Sequence, residues 1–206
     1  IRFFHKNNMI KQLTVLTRFE KDYGFLSKPF PKGHVLNVDS PLVVLIGDNG
    51  SGKSTFLDSL WHQFQGSGDE HWYFDPVYDK HGIPDDVDIC DLSFVREQNW
   101  ETGETRSHGE YKLQRIPEIL AEAKKYRKSD VLCFDEPENG ISLINKGKLV
   151  RMIADYAFRE KRQIFVATHE PEFLNVGDAR VINLDEHPAT SCLASEFDLR
   201  KYMGSD

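Results

Sequence analysis

The nine residues Gly47-Asp48-Asn49-Gly50-Ser51-Gly52-Lys53-Ser54-Thr55 constrain this chain more than any other stretch, because they satisfy the pattern G-x-x-x-x-G-K-[ST] in the setting that pattern requires. Upstream, Leu42–Ile46 is a continuous apolar run, as expected of a parallel strand buried on both faces. Downstream, residues 53–64 carry Phe56, Leu57, Leu60, Trp61 and Phe64 at helical spacing. A glycine-rich turn between a strand and a helix can aim successive backbone N–H groups inward, and the positive end of the helix dipole adds to that nest. The sequence therefore predicts a phosphate cradle from Gly47 to Thr55, with Lys53 reaching β and γ phosphates and the Ser54 hydroxyl offered to Mg2+.

Further short apolar runs follow at intervals that leave room for helices. Residues 13–19, 89–95, 131–134, Gln163–Ala167 and residues 179–184 read as strands, and residues 110–128 and Leu143–Glu160 as helices, the first of them carrying Pro117. Residues 66–88, rich in Gly, Asp, His and Pro and without a sustained period, read as an irregular insertion. This alternation predicts an α/β fold with a mostly parallel sheet covered by helices, spanning residues 1–206 as one domain, with ligands at the carboxyl ends of the strands.

The net charge of -7 argues against a surface devoted to gripping a phosphate backbone. Two basic clusters, Lys124, Lys125, Arg127 and Lys128, then Arg159, Lys161 and Arg162, fall where helices should end, and dipole complementarity and solubility, which explain them at least as well as nucleic acid does, are the favoured account. Cys90, Cys133 and Cys192 lack the spacing of a disulfide framework or a zinc site, and reduced cytosolic thiols are the simplest account. No apolar run approaches the roughly 18 to 20 residues that span a bilayer, nor is a signal peptide evident, so the expectation is a cytoplasmic chain with no membrane insertion of its own.

Residues 131–134 deliver Asp135 and Glu136 to the end of a buried strand, where carboxylates are costly unless employed. Asp135 is placed to hold Mg2+ through its water shell, and Glu136 to polarise a water that attacks the γ phosphate.

Together with the phosphate loop, Phe134-Asp135-Glu136-Pro137-Glu138 and Ala167-Thr168-His169-Glu170-Pro171 give a set that resembles the small stand-alone ABC-type, AAA-annotated P-loop ATPases related to the SMC and DNA-repair branch rather than transporter subunits. The resemblance implies a P-loop NTPase fold with an antiparallel β lobe and a helical signature lobe. It implies that His169, after the next strand, contacts the γ phosphate and that Gln98 joins Ser54 and Asp135 around Mg2+. It also implies that Ser107-His108-Gly109-Glu110, a variant of the signature motif with Arg106 where transporter subunits carry leucine, caps the nucleotide of a partner subunit. The same four residues equally read as an N-cap box opening a helix. Asn139-Gly140-Ile141-Ser142 matches the family's short loop after the acidic pair, departing from the transporter S-A-L-D form. Phe19, Tyr23 and Phe25 are candidates for stacking on adenine or for the core.

The resemblance and the motifs together imply an ATPase in which Lys53, Glu136 and His169 act on ATP held with Mg2+ in a head-to-tail homodimer, driving or gating a protein or nucleic-acid partner in nucleic-acid processing or a defence-type effector role. The alternative is the nucleotide-binding subunit of a transporter. A Ras-like GTPase is disfavoured, since Asn145-Lys146-Gly147-Lys148 lacks the Asp that would read guanine, and a binding switch with negligible turnover is disfavoured by Glu136. The aromatic stretch His71, Trp72, Tyr73, Phe74 and Tyr78 reads equally as a partner surface and as the filling of an added lobe.

Overall fold

A computed structural model describes residues 9–16, 30–65, 73–78, 87–90, 108–126 and 131–202. Its centre is the strand β3 (Leu42–Ile46), whose five residues are all buried. On one side it pairs in parallel with β7 (Gln163–Ala167), then β6 (Val131–Asp135) and β5 (Val87–Cys90); on the other with β8 (Arg180–Asn183), beyond which β9 (Thr190–Leu193) runs antiparallel.

Strand side chains alternate between faces, and here the alternation separates two cores. Leu42, Val44, Leu132, Phe134, Ile164 and Val166 face one core, completed by Ile116 and Leu120 of α2 (His108–Tyr126) and Leu149, Val150 and Ile153 of α3 (Leu143–Glu160). Val43, Leu45, Cys133 and Phe165 face the other, where Phe56, Leu57 and Leu60 of α1 (Lys53–Gln65) pack. Each such fully buried side chain contributes about 1.5 to 3 kcal/mol of transfer free energy. Burial of Ile116 and Leu120 on either side of Pro117 carries α2 through the proline that would break an isolated helix.

The second core is closed by a three-stranded antiparallel sheet in the order β2 (Val35–Asn37), β1 (Ile10–Leu16), β4 (Tyr73–Tyr78). Gln163, fully buried at the start of β7, ties the two sheets together. Its Oε1 accepts from the Ile10 N–H at 2.9 Å, and its Nε2 donates to the carbonyls of Ile10 at 2.8 Å and Val38 at 2.7 Å.

The irregular insertion expected over residues 66–88 is corrected by this sheet: Tyr73–Tyr78 is a strand paired with β1, and Val87–Cys90 opens the parallel sheet. Pro76 and Asp75 mask the period of β4, and such residues are tolerated because β4 has a partner on one side only in the described sheet. The aromatic residues Tyr73, Phe74 and Tyr78 therefore belong to the backbone of the antiparallel lobe. The strand expected over residues 13–19 begins earlier, at Ile10, with a register shift between Ile10 and Gln12. That expected over 89–95 begins at Val87, its end lying outside the described residues. The short strands β2 and β9 carry too few residues for a period to be read.

Lys124 of the first basic cluster donates to Glu160 at 2.6 Å, joining α2 to α3. Arg159 pairs with Asp155 at 3.2 Å along α3. Among the described residues no helix is long and apolar enough to cross a membrane, and Cys133 and Cys192 are free thiols.

Candidate nucleotide site

Three strands of the parallel sheet, β3, β6 and β7, end side by side, and the loops after them carry the site. The phosphate loop turns on glycines: Gly47, Gly50 and Gly52 hold φ of 149°, 82° and 102°. At Gly47 space as well as angle demands glycine, since a Cβ there would lie 2.5 Å from Ser51 Oγ and 3.1 Å from Asp185 Oδ1. Asp48, Asn49 and Gly50 face solvent, and the loop passes into α1 with Phe56 N–H bonded to the Gly52 carbonyl at 2.9 Å. Lys53 is only 5% exposed and folds back along the loop, its Nζ donating to the carbonyls of Gly47 at 2.8 Å and Asp48 at 3.1 Å. Burial pushes its ammonium below the ordinary lysine range, against the opposing pull of Glu136, Asp185, Asp135 and Asp48.

At the head of β6, the Asp135 carboxylate takes a hydrogen bond from Ser54 of α1. Although Asp135 has solvent on one side, the walls of the site withhold enough water to raise its pKa, and the charges of Glu136 and Asp58 act in the same sense; Ser54 and Lys53 oppose them. A serine hydroxyl beside a carboxylate is a hard-oxygen pair suited to Mg2+, which keeps several waters and takes further oxygens from substrate phosphates. No group of three His, Cys, Asp or Glu residues forms a dedicated metal cage among the described residues. The pair fits an ion brought in with the nucleotide.

Glu136 adopts φ of 43°, a left-handed conformation that costs a non-glycine residue about 1 to 3 kcal/mol and gathers at functional sites. Its N–H donates to the Ala167 carbonyl at 2.8 Å. This reaches across to the loop after β7, and there His169 Nε2 lies 3.5 Å from Glu136 Oε1, both side chains partly exposed. The structure thus brings together Lys53, Ser54, Asp135, Glu136 and His169. Thr55 continues α1, its carbonyl accepting from the Ser59 hydroxyl at 2.6 Å.

Gln98, Ser107 and the adenine candidates Phe19, Tyr23 and Phe25 lie outside the described residues. His108, Gly109 and Glu110 form the first turn of α2, described through its backbone alone. Lys146, within the stretch compared with a guanine reader, pairs instead with buried Glu170 at 2.8 Å.

Four contributors escaped the sequence reading. Glu138 accepts from Thr168 and from the His169 N–H; Lys112 of α2 donates to the Glu136 carbonyl at 3.3 Å; and Asp185 accepts from the Asp48 N–H at 2.8 Å. Tyr202, in α4 (Leu199–Tyr202), bonds to Asp185 and to the Gly47 backbone. Asp185 carried a readable signal, an acid just past the end of a buried strand like Asp135. Lys112 and Tyr202 carried none, because their partners come from elements remote in sequence.

The profile of the family described as "AAA domain, putative AbiEii toxin, Type IV TA system" matches residues 67–175, just over half of the chain. The matched span holds Asp135, Glu136 and His169, and the phosphate loop precedes it. Protein Pixie of Drosophila melanogaster is 25% identical over 198 residues, covering 84% of this chain and 31% of that protein, so the chain spans about a third of that relative's length. The SMC head domain from Thermotoga maritima superposes with a TM-score of 0.53 at 12% identity, over 89% of this chain and 98% of the other. An ATP-binding cassette solved as a dimer in a post-hydrolysis state, bound to ADP and Pi, superposes with a TM-score of 0.50 at 17% identity, over 92% and 100%. The fold is that of an ABC-type P-loop ATPase.

Proposed function

The chain belongs to this AAA-domain family, and on that premise we propose that it binds and hydrolyses MgATP as a head-to-tail homodimer that drives or gates a macromolecular partner. The observation that carries the reading is the 3.5 Å approach of His169 Nε2 to Glu136 Oε1, beside a lysine whose charge feels Glu136 and Asp135.

In this reading the backbone N–H groups of Gly47 to Thr55 and the Lys53 ammonium receive the phosphates. Ser54, Asp135 and Gln98 would hold Mg2+, which would supply positive charge to offset that of the phosphates. Glu136 orients a water and takes its proton as the oxygen attacks the γ phosphorus, while the bond to the β phosphate breaks and ADP leaves. His169 donates to the γ phosphate oxygens. Ser107 to Glu110, the last three of which open α2, cap the phosphates of the other subunit, so that ATP is buried at two symmetric sites. The family's description, which names a type IV toxin–antitoxin system, supports a defence-type effector as the partner class.

Light scattering of Glu136→Gln with and without MgATP, beside Glu136→Gln/Ser107→Arg, tests the assembly. Conversion of monomer to dimer by MgATP, blocked by the arginine, is expected. A variant that binds ATP and stays monomeric would remove the trans clamp from the proposal.

A further inference from the structure

Glu138 is a carboxylate held at 5% exposure in the turn after the acidic pair. Its Oε1 accepts from the Thr168 hydroxyl at 2.7 Å and from the His169 backbone N–H at 2.9 Å. Its Oε2 is buried and has no hydrogen-bond partner among the described residues. A buried carboxyl oxygen left without a partner is costly. The basic group beside this turn is Lys112, partly buried on α2. Burial lowers its pKa, and among the carboxylates that oppose this Glu138 comes first, ahead of Glu136 and Asp135. Its ammonium donates to the Glu136 carbonyl, so it acts on Glu138 through space while gripping the same turn.

The turn is therefore fixed both to the end of β7 and to the loop after it. The Glu136 N–H is bound to the Ala167 carbonyl, and the Glu138 carboxylate is bound to Thr168 and His169. Thr168 in turn receives the Glu170 N–H on its hydroxyl at 2.9 Å, which leaves that hydroxyl's proton for Glu138. Both side chains of the hydrolytic pair project from backbone that Glu138 joins.

We propose that Glu138 is a positioning residue, which sets the separation of the Glu136 carboxylate from the His169 imidazole by gripping Thr168 and the His169 N–H, while Lys112 holds the same turn through the Glu136 carbonyl. The inference rests on the hydrolytic reading of that pair. It assigns to Glu138 and Lys112 an effect on turnover without contact with nucleotide.

The test is steady-state phosphate release, with binding of a fluorescent ATP analogue measured in parallel, for wild type, Glu138→Leu, Glu138→Gln, Lys112→Gln and the double variant Glu138→Leu/Lys112→Gln. Glu138→Leu, which removes the acceptor, is expected to keep the analogue's Kd within about twofold while kcat falls about tenfold or more, because small misplacements of reacting groups cost rate rather than affinity. Glu138→Gln, whose amide oxygen can still accept from Thr168 and the His169 N–H, should retain more of kcat than Glu138→Leu. Lys112→Gln should also lower kcat. The double variant should lose less than the product of the two single losses, since both residues hold the same turn. Wild-type kcat in Glu138→Leu, losses that multiply in the double variant, or a Kd that weakens as much as kcat falls would each overturn the proposal. Wild type releasing phosphate no faster than Glu136→Gln would overturn the hydrolytic reading itself, and this inference with it.

Discussion

The carboxylate of Glu136 and the imidazole of His169 stand 3.5 Å apart although they leave different strands. Sheet register causes the meeting. Asp135 of β6 lies beside Ala167 of β7, so the next residues of both strands emerge at one edge, and the Glu136 N–H closes the gap by bonding to Ala167. Glu136→Gln removes the proton acceptor and leaves the shape. Its phosphate release is expected to fall by about 10²-fold or more, the usual scale of general base catalysis, with MgATP binding retained. His169→Gln should lower kcat less. A Glu136→Gln variant with wild-type turnover would exclude Glu136 as the base.

Much of this site was legible because it is local. Gly47 to Thr55 is one contiguous stretch, and the buried runs that deliver Asp135 and His169 are continuous enough to read as strands. The antiparallel lobe was only partly legible. β4 contains Pro76, and β2 has three residues, so their pairing is decided by β1 and by the tether from Gln163 rather than by their own patterns. Glu138 was visible as a residue, but its work depends on Thr168, His169 and Lys112, which tertiary structure brings to it.

Gly47 and Gly177 make a contrast in backbone demand. Gly47 has φ of 149° and a Cβ there would meet Ser51 at 2.5 Å, whereas a Cβ at Gly177 would find nothing within 4 Å. Gly47→Ala is expected to destabilise by about 1 to 3 kcal/mol through strain and to weaken nucleotide binding, because the shift falls on the phosphate loop. Gly177→Ala should stay within about 0.5 kcal/mol of wild type. Urea denaturation of both variants checks this, and equal midpoints would show that the loop yields freely at Gly47.

Tyr202 supplies a pH-dependent link between the last described helix and the phosphate loop. Its hydroxyl bonds to Asp185 and receives the Gly47 N–H, and Asp185 also accepts from the Asp48 N–H. Its ring packs edge-on against Phe197 with centroids 5.6 Å apart. Burial raises the phenol's pKa most, the charges of Asp185 and Asp48 raise it further, and the Gly47 N–H opposes them. A raised folded pKa means that the neutral hydroxyl stabilises the fold fully below the ordinary tyrosine value of about 10, and that this contribution is lost as pH climbs through the higher folded value. Tyr202→Phe keeps the ring contact and removes the hydroxyl. It should cost about 1 kcal/mol at neutral pH, and the gap to wild type should narrow once pH passes about 10. Denaturation of both proteins from neutral to alkaline pH measures the gap directly. A gap that stays constant across that range would mean that the hydroxyl bonds do not hold the loop, and that Tyr202 acts there through its ring alone.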